Sequence, residues 1–272
     1  MLLHYRLPRP CPISMKAFLT ALVMLTLAGC ATGLKIDRSH PSVNQDNRIQ
    51  FVVLHYTNAN LERSLALLTH GEVSSHYLIG DNPPTIYQLV DESRRAWHAG
   101  DSQWRGRTWL NASTLGIELV NQGYADTPAG RVWQPYSAAQ IDALILLLKD
   151  IVQRHHLPID SIIGHSDIAP QRKVDPGPLF PWRRLADAGL IRWPDAAQVA
   201  RQQALFNQQL PAPEWFAAQL RQLGYAVPTV AQADQPLRNV LAALQMKYRP
   251  SNVDGQPDAE TAAILQVLNQ AR

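Results

Sequence analysis

The chain has 272 residues, of which 46% are hydrophobic and 17% are charged, so it is long enough to bury a sizeable core. Its formal net charge of +3 comes from 25 basic and 22 acidic residues, and Arg6, Arg9 and Lys16 all precede residue 30, where no acidic residue offsets them. The remainder is therefore formally neutral. This gives no reason to expect nucleic-acid binding, which needs a clustered basic surface.

A candidate targeting segment lies before residue 31. An apolar run from Ala17 to Leu27 follows Lys16 and leads into Ala28-Gly29-Cys30. The run is too short to span a membrane but has the length of a signal-peptide core. Small residues before a cysteine at this junction resemble the bacterial lipobox, which marks the cysteine for lipidation. A secretion signal with an incidental cysteine is the alternative.

The lipobox resemblance implies how the chain is attached and where. Residues 1–29 would be a lipoprotein signal peptide, Cys30 would carry the lipid, and the polar segment 30–47 would be a tether. Acyl chains would hold the protein on a bilayer, because each buried methylene contributes about 0.8 kcal/mol. Ala31 rather than aspartate follows the cysteine, which by resemblance to Gram-negative lipoprotein sorting predicts the outer membrane, facing the periplasm.

Short apolar runs alternate with helical patterns in the middle of the chain. In chain order the patterns predict a buried strand at 49–56, a helix capped by Asn60 at 60–68 and a hairpin at 73–90. They then predict a second buried strand at 115–120, a long amphipathic helix with a capping box at 137–155, and a third buried strand at 161–164. Strands that alternate with helices predict an α/β fold.

The composition changes after Pro194. Residues 196–209 are rich in alanine and glutamine and predict a helical linker, and helical spacing of apolar residues follows at 214–223, 237–248 and 259–269. These three helices predict a small C-terminal unit. Because so small a unit has a thin core, we expect it to lean on the larger domain.

Three residues stand out at the ends or in the middle of buried strands. Glu118 lies within an apolar strand, where it is either a general acid or base in a cleft or a sheet residue that faces solvent. His55 and His165 each end a strand, where ligand sites gather, although either could be a core histidine. Two histidines and a carboxylate can hold catalytic zinc. Lys173 in the following polar loop could stabilise an oxyanion or be a solvated charge.

Five motifs together resemble the type 2 N-acetylmuramoyl-L-alanine amidases, a family that shares its core with the peptidoglycan recognition proteins. They are VVLHYT at His55, SSHYLI at His76, WHAG at Trp97, GIELVN at Glu118 and GHSDIAPQRKVDPGP around His165. The match covers about residues 49–182. It implies a mixed central sheet flanked by helices, and zinc-dependent hydrolysis of the amide between N-acetylmuramic or anhydro-N-acetylmuramic acid and L-alanine in peptidoglycan and its fragments.

The resemblance also implies individual roles. His55, His165 and Asp175 would bind one zinc ion per chain, Glu118 would be the general base, and Lys173 would stabilise the tetrahedral intermediate. All five positions carry the residue that the family requires. Four more residues would lie in or beside the substrate groove: Trp97, His98, Asn121 and Arg172.

Other titratable residues have plainer interpretations. Asp167 is an alternative third ligand, but its two-residue step from His165 leaves little loop to bring both side chains onto one ion. His76 is expected to shape the sheet behind the groove. His155-His156 is expected to end a helix, where the dipole favours a cation.

The predicted organisation is a zinc amidase domain at 48–193, a linker at 194–212 and a three-helix unit at 213–272. The last unit resembles peptidoglycan-binding domains through QLRQLGY and NVDG, but it has Leu244 where an aromatic residue is usual. A helical cap that buries apolar surface of the larger domain is the alternative.

We expect a monomeric, lipid-anchored amidase that acts on peptidoglycan or muropeptides. The alternatives are a non-catalytic, zinc-containing lipoprotein that binds peptidoglycan, and a zinc peptidase that cuts between residues of the stem peptide. Recognition proteins that only bind typically lack a zinc ligand, and this sequence lacks none.

Overall fold

The computed structural model describes residues 34–228 and 234–271. The predicted signal peptide and Cys30 lie outside the described residues. Contacts divide the chain into Met1–Asp46 and Asn47–Arg272, and the second unit contains every helix and strand named below. In the described part of the chain, no helix combines the length and hydrophobicity needed to cross a membrane.

The strands are short and, in chain order, are β1 (Phe51–Tyr56), β2 (Tyr77–Ile79), β3 (Ile86–Gln88), β4 (Gln103–Trp104), β5 (Arg107–Thr108), β6 (Thr114–Leu119), β7 (Tyr124–Thr127), β8 (Gly130–Trp133) and β9 (Ile162–Gly164). The helices are α1 (Leu61–His70), α2 (Ala138–His155), α3 (His165–Ile168), α4 (Trp182–Asp187), α5 (Ala196–Phe206), α6 (Pro213–Leu223), α7 (Asp234–Tyr248) and α8 (Ala259–Gln270). A 3-10 turn at Leu110–Ala112 precedes β6.

Five strands form the central sheet in the order β3-β2-β6-β1-β9. β2, β6, β1 and β9 run parallel, and β3 pairs antiparallel with β2 at one edge. The predicted mixed sheet is therefore confirmed. The register aligns His55 on β1 with Glu118 on β6, and His165 follows β9 directly. The carboxyl ends of three neighbouring strands thus bring these residues to one edge.

The long helix α2 covers one face of the sheet. Ser137 caps it by accepting a hydrogen bond from the Gln140 amide, as the capping-box pattern predicts. Its buried residues Ile141, Leu144, Leu148 and Ile151 share an apolar core with alternate residues of β1 and β6. Only alternate strand residues join this core, because successive side chains of a strand point to opposite faces of the sheet.

The C-terminal helices cover the opposite face. Phe51, Val53 and Ile163 of the sheet belong to one apolar core with buried residues of α6, α7 and α8, among them Phe216 and Leu241. The expectation that the C-terminal unit leans on the larger domain is met by this shared core. Helix α5 packs against the same core through half-buried Val199 and Phe206. The predicted domain boundaries stay a prediction.

Candidate active site

Three potential ligand atoms meet at the carboxyl edge of the sheet. His55 Nδ1 lies 2.9 Å from His165 Nδ1 and 3.1 Å from Asp175 Oδ2, and His165 Nδ1 lies 3.0 Å from the same oxygen. All three side chains are buried. This His-His-Asp cluster (His55, His165 and Asp175) is the one group in the described residues with the geometry to hold a metal ion.

The ring of His55 is oriented by hydrogen bonds behind it. The Thr114 hydroxyl donates to the Leu110 carbonyl at 2.7 Å, so its oxygen is left to accept from His98 Nε2 at 3.2 Å. His98 Nδ1 can then only accept, and it faces His55 Nε2 at 3.1 Å. The proton of His55 therefore resides on Nε2, and the Nδ1 lone pair points into the cluster.

His165 is held in the same tautomer. Its Nε2 lies 3.2 Å from the Ala99 carbonyl, which can only accept, so this nitrogen carries the proton. Both Nδ1 lone pairs and the Asp175 carboxylate then converge without a donor between them. The cluster then needs a positive charge at its centre, supplied by a proton or by a metal ion, and nitrogen and oxygen donors of this type suit a divalent transition metal. The residues present therefore fit a metal ion.

The electrostatics of the cluster favour metal binding at neutral pH. Burial, reinforced by His165, lowers the pKa of His55 to about 4, so its ring is neutral and free to act as a ligand. When a proton rather than a metal ion occupies the cluster, burial alone would raise the pKa of Asp175, but the positive charge at His165 and the hydrogen bonds from the two rings outweigh burial and hold that pKa far below its ordinary range. Asp175 is therefore an anion that can offset part of the charge of the ion.

Glu118 lies beside the cluster without joining it. Its Oε2 atom is buried and has no hydrogen-bond partner among the described residues. Burial and the nearby Asp175 raise the pKa of Glu118 to about 8, while Lys173 acts in the opposite direction. A carboxyl group with a pKa near neutrality can both accept and return a proton, which is what a general base in hydrolysis must do.

These groups line one open cleft of about 350 Å³. Glu118, Lys173 and the three residues of the cluster all face it, and its other walls include Tyr56, Val73, Trp97, His98, Tyr124 and Arg172. The sequence-predicted metal and catalytic residues are thus brought together in one place. Their individual roles stay predictions.

Trp97 and Arg172 form part of the cleft wall. The Trp97 side chain is 49% exposed, and the Arg95 guanidinium carbon lies 4.1 Å from the centre of the Trp97 ring. An exposed indole face can pack against a sugar or a peptide. Arg172 donates to the Asp101 carbonyl at 3.0 Å and also to the Ala99 carbonyl, so it ties the loop after Trp97 to the loop that carries Asp175.

The other two residues predicted for the groove are placed differently. His98 is 8% exposed and its ring nitrogens contact His55 and Thr114, so it orients the candidate metal ligand His55 from behind. Asn121 is 3% exposed, accepts from the Gly123 amide at 2.7 Å and does not line the cleft. The structure gives Asn121 a role in holding its own loop, and substrate contacts by either residue stay a prediction.

Asp167 and His76 make contacts away from the cluster. Asp167 is 1% exposed and binds Tyr225 and Lys247, which supports Asp175 over Asp167 as the third ligand. His76 accepts from the Gly116 amide at 3.0 Å and faces the Arg94 carbonyl at 3.2 Å, as expected of a residue that shapes the sheet.

Sequence reasoning missed the residues that support His98. The Asn111 side chain accepts from the His98 and Ala99 amides at 3.0 and 2.7 Å, and Thr114 fixes the His98 tautomer. Gly116 leaves room for the His98 ring, since a Cβ atom there would lie 2.4 Å from its Cγ. The available signal was a glycine, a threonine and an asparagine near a candidate site, which is too common to predict these contacts.

The sequence of this chain is similar to those of known amidases. A family model described as N-acetylmuramoyl-L-alanine amidase matches residues 45–178. The chain is 42% identical to the N-acetylmuramoyl-L-alanine amidase AmiD of Escherichia coli strain K12 over 260 residues, which is 90% of this chain and 94% of AmiD.

Two solved structures share the architecture. The complex of E. coli AmiD with the substrate anhydro-N-acetylmuramic acid-L-Ala-D-gamma-Glu-L-Lys matches with a TM-score of 0.82 and 40% identity, over 88% of this chain and 95% of that one. AmpDh3 of Pseudomonas aeruginosa matches with a TM-score of 0.82 and 39% identity, over 88% and 98%. The chain therefore belongs to the N-acetylmuramoyl-L-alanine amidase family.

Proposed function

We propose that this chain is a zinc amidase that hydrolyses the bond between N-acetylmuramic or anhydro-N-acetylmuramic acid and L-alanine. The observation that carries the proposal is the convergence of three metal-ligand atoms beside Glu118 and Lys173 in one open cleft. The extensive similarity to AmiD, whose solved complex contains an anhydromuramyl peptide, supports peptidoglycan fragments as substrates.

Zinc is the proposed ion because two histidines and one carboxylate leave a fourth tetrahedral position for water or substrate. When bound, it would polarise the amide carbonyl and make the attacking water more acidic. His55, His165 and Asp175 would hold it. The same ligands accept several divalent ions, so metal analysis of the purified chain tests the identity of the ion.

The chain's own residues supply the proton transfers. Glu118 accepts a proton from water as the water oxygen bonds to the amide carbon, and Lys173 stabilises the negative charge that develops on the carbonyl oxygen. Glu118 then delivers the proton to the leaving nitrogen as the carbon–nitrogen bond breaks. The products are a free carboxyl group on the lactyl ether of the sugar and a peptide with a free amino terminus.

Mass analysis of the products tests the bond that is cut. Anhydromuramyl tripeptide is incubated with the chain and with Glu118→Gln. We expect the parent alone to release intact tripeptide and the free sugar acid. Fragments cut within the stem peptide would indicate a peptidase instead. Binding of muropeptides without release of any product would indicate the non-catalytic wall-binding lipoprotein.

We also propose that Cys30 anchors the protein by lipid to the outer membrane, facing the periplasm. The support is the apolar run that ends at Leu27, the small residues before the cysteine, and Ala31 after it. Labelled palmitate should enter the parent chain and be absent from Cys30→Ala, and the label should follow outer-membrane fractions. Incorporation that survives Cys30→Ala would contradict the anchor.

We propose that the chain acts as a monomer, because its own residues supply the proposed metal ligands, the general base and the cation. Light scattering of the detergent-solubilised chain, corrected for detergent, should give the mass of one copy. A stable dimer would contradict this part of the proposal.

A further inference from the structure

A buried ion pair connects the C-terminal helices to the segment that carries His165. Lys247 of α7 lies 3.1 Å from Asp167 Oδ2, and their side chains are 7% and 1% exposed. The hydroxyl of Tyr225, which follows α6, donates to Asp167 Oδ1 at 2.7 Å. Lys247 also lies 4.3 Å from the centre of the Trp182 ring. Both oxygens of Asp167 therefore have partners from the C-terminal unit.

The same carboxylate fixes the start of the short helix α3. Asp167 Oδ2 accepts from the Gly164 amide at 2.8 Å, which closes the last residue of β9 onto the first turn of α3. His165 is the first residue of that turn. The next amide, of Ser166, donates to the Asp175 carbonyl at 2.8 Å, so the backbone of the other loop ligand is attached to the same turn.

The buried position of this carboxylate explains why its C-terminal partners matter. Without Lys247, Asp167 would lose its countercharge in surroundings that exclude water, and it would be driven to turn toward solvent. The Gly164 amide would then lose its acceptor. The turn that presents His165 and ties down Asp175 would no longer be fixed.

From these contacts we infer that Lys247 and Tyr225 are positioning residues for the metal site, acting through Asp167 on His165 and Asp175. The inference rests on the proposed metal-dependent function. It gives the C-terminal unit a part in catalysis that is separate from any binding of peptidoglycan. Partners in the layer outside metal ligands commonly change metal affinity by about 10- to 100-fold.

Zinc affinity of the full-length chain tests this directly. Competition with a fluorescent chelator is measured for the parent, Lys247→Met and Tyr225→Phe. The matched control is Arg249→Met, which removes another buried cation of the same unit, one that is 6% exposed and pairs with Asp258 at 2.6 Å. The visible spectrum of the cobalt-substituted proteins reports the geometry of the metal ligands. If Lys247 and Tyr225 only stabilised the fold, their substitution would leave this spectrum unchanged.

We expect Lys247→Met to raise the zinc Kd by about tenfold or more and to shift the cobalt bands. Tyr225→Phe should raise the Kd by a smaller factor, and Arg249→Met should leave both readouts at parent values. Parent-like affinity and spectra in both Lys247→Met and Tyr225→Phe would overturn the inference. If Lys247→Met does not fold, Tyr225→Phe decides. A parent chain that binds no zinc would contradict the proposed function and this inference with it.

Discussion

At the scale of single residues, the geometry of the candidate metal site depends on groups outside the His-His-Asp cluster. Thr114 and His98 fix the proton of His55 on Nε2, which leaves the Nδ1 lone pair in the cluster. Burial also lowers the pKa of His98 well below its ordinary value, so its ring stays neutral and keeps one nitrogen as an acceptor. The candidate ligand His55 is thus preorganised by neutral hydrogen bonds.

Thr114→Val tests this arrangement with little change in shape. The valine removes the acceptor of His98 Nε2, so the His98 and His55 rings are free to change tautomer. We expect zinc affinity to fall by about tenfold in a chelator competition. Thr261→Val is the control, because Thr261 is equally buried and hydrogen-bonded, to Gln245 at 3.2 Å, but lies in α8. Equal zinc affinity in the two variants would refute the role of Thr114.

The pH dependence of catalysis should respond to Lys173. Burial and Asp175 raise the pKa of Glu118 to about 8 even though Lys173 lowers it, so the loss of this cation must raise that pKa further. Glu118 must be ionised to accept a proton, and activity therefore rises with pH through its pKa. We expect Lys173→Met to move the acid limb of the kcat/KM profile to higher pH. Lys149→Met, an exposed lysine of α2, should leave the profile unchanged.

The chemistry-bearing residues could be predicted because their motifs are contiguous in sequence. His55 and Glu118 lie near the ends of buried strands and His165 directly follows one, and parallel strands place such positions at one edge. Thr114 and Asp167 could not be given their roles in this way. Thr114 contacts His98, 16 residues away in the sequence, and Asp167 contacts Lys247, 80 residues away, so no local pattern encodes those contacts.

At the scale of elements, one carboxylate ties a loop to the end of the long helix. Glu92, after β3, accepts from Arg154 at 2.6 Å, from Tyr77 at 2.6 Å and pairs with His155 at 2.7 Å. Burial alone would raise the pKa of Glu92, but these hydrogen bonds outweigh it and lower the pKa to about 2. The helix end that the sequence assigns to His155-His156 is therefore an anchoring point.

Glu92→Gln should lower the free energy of unfolding by about 1–2 kcal/mol at pH 7, allowing for the partly exposed Arg154. A depressed pKa contributes stability above the ordinary value of 4.5 and loses it as the pH falls toward 2. Urea unfolding of parent and variant should therefore converge below pH 4.5. Asp142→Asn, at an exposed ion pair of α2, should cost about 0.5 kcal/mol or less. A difference that does not depend on pH would contradict this assignment.

Element prediction succeeded where apolar runs were long and failed where strands were short. The central strands β1 and β6 lie within one or two residues of their predicted ends. The predicted hairpin at 73–90 contains strands of only three residues each, since its flanks form loops. The hairpins of β4-β5 and β7-β8 were not predicted, because strands of only two to four residues are too short to show a periodicity.

At the scale of the whole molecule, the C-terminal helices complete the core of the sheet. Leu244, which replaces the aromatic residue usual in peptidoglycan-binding domains, is 1% exposed in that core. The burial of Leu244 against the sheet favours the alternative in which the C-terminal unit is a helical cap on the larger domain. Helical periodicity shows that a face is buried but not which surface covers it, so the sequence could not predict the sheet as the partner.

Phe216→Ala tests whether the two parts unfold together. Phe216 is fully buried in the core shared with Phe51 and Val53, and its truncation should cost about 3–5 kcal/mol. Because the core is shared, calorimetry should show a single transition at lower temperature. Leu205→Ala, at a residue that is 58% exposed, should change stability by about 0.5 kcal/mol or less. A separate early transition of the helices alone would contradict a common core.

The central claim is that His55, His165 and Asp175 hold a catalytic metal and that Glu118 acts beside it without binding it. The most direct test measures zinc per chain and cleavage of anhydromuramyl tripeptide together, for the parent, Glu118→Ala and Asp175→Ala. We expect one zinc in the parent and in Glu118→Ala, cleavage by the parent alone, and weakened zinc binding in Asp175→Ala. Parent-like cleavage by Glu118→Ala, or parent-like zinc affinity in Asp175→Ala, would contradict the account.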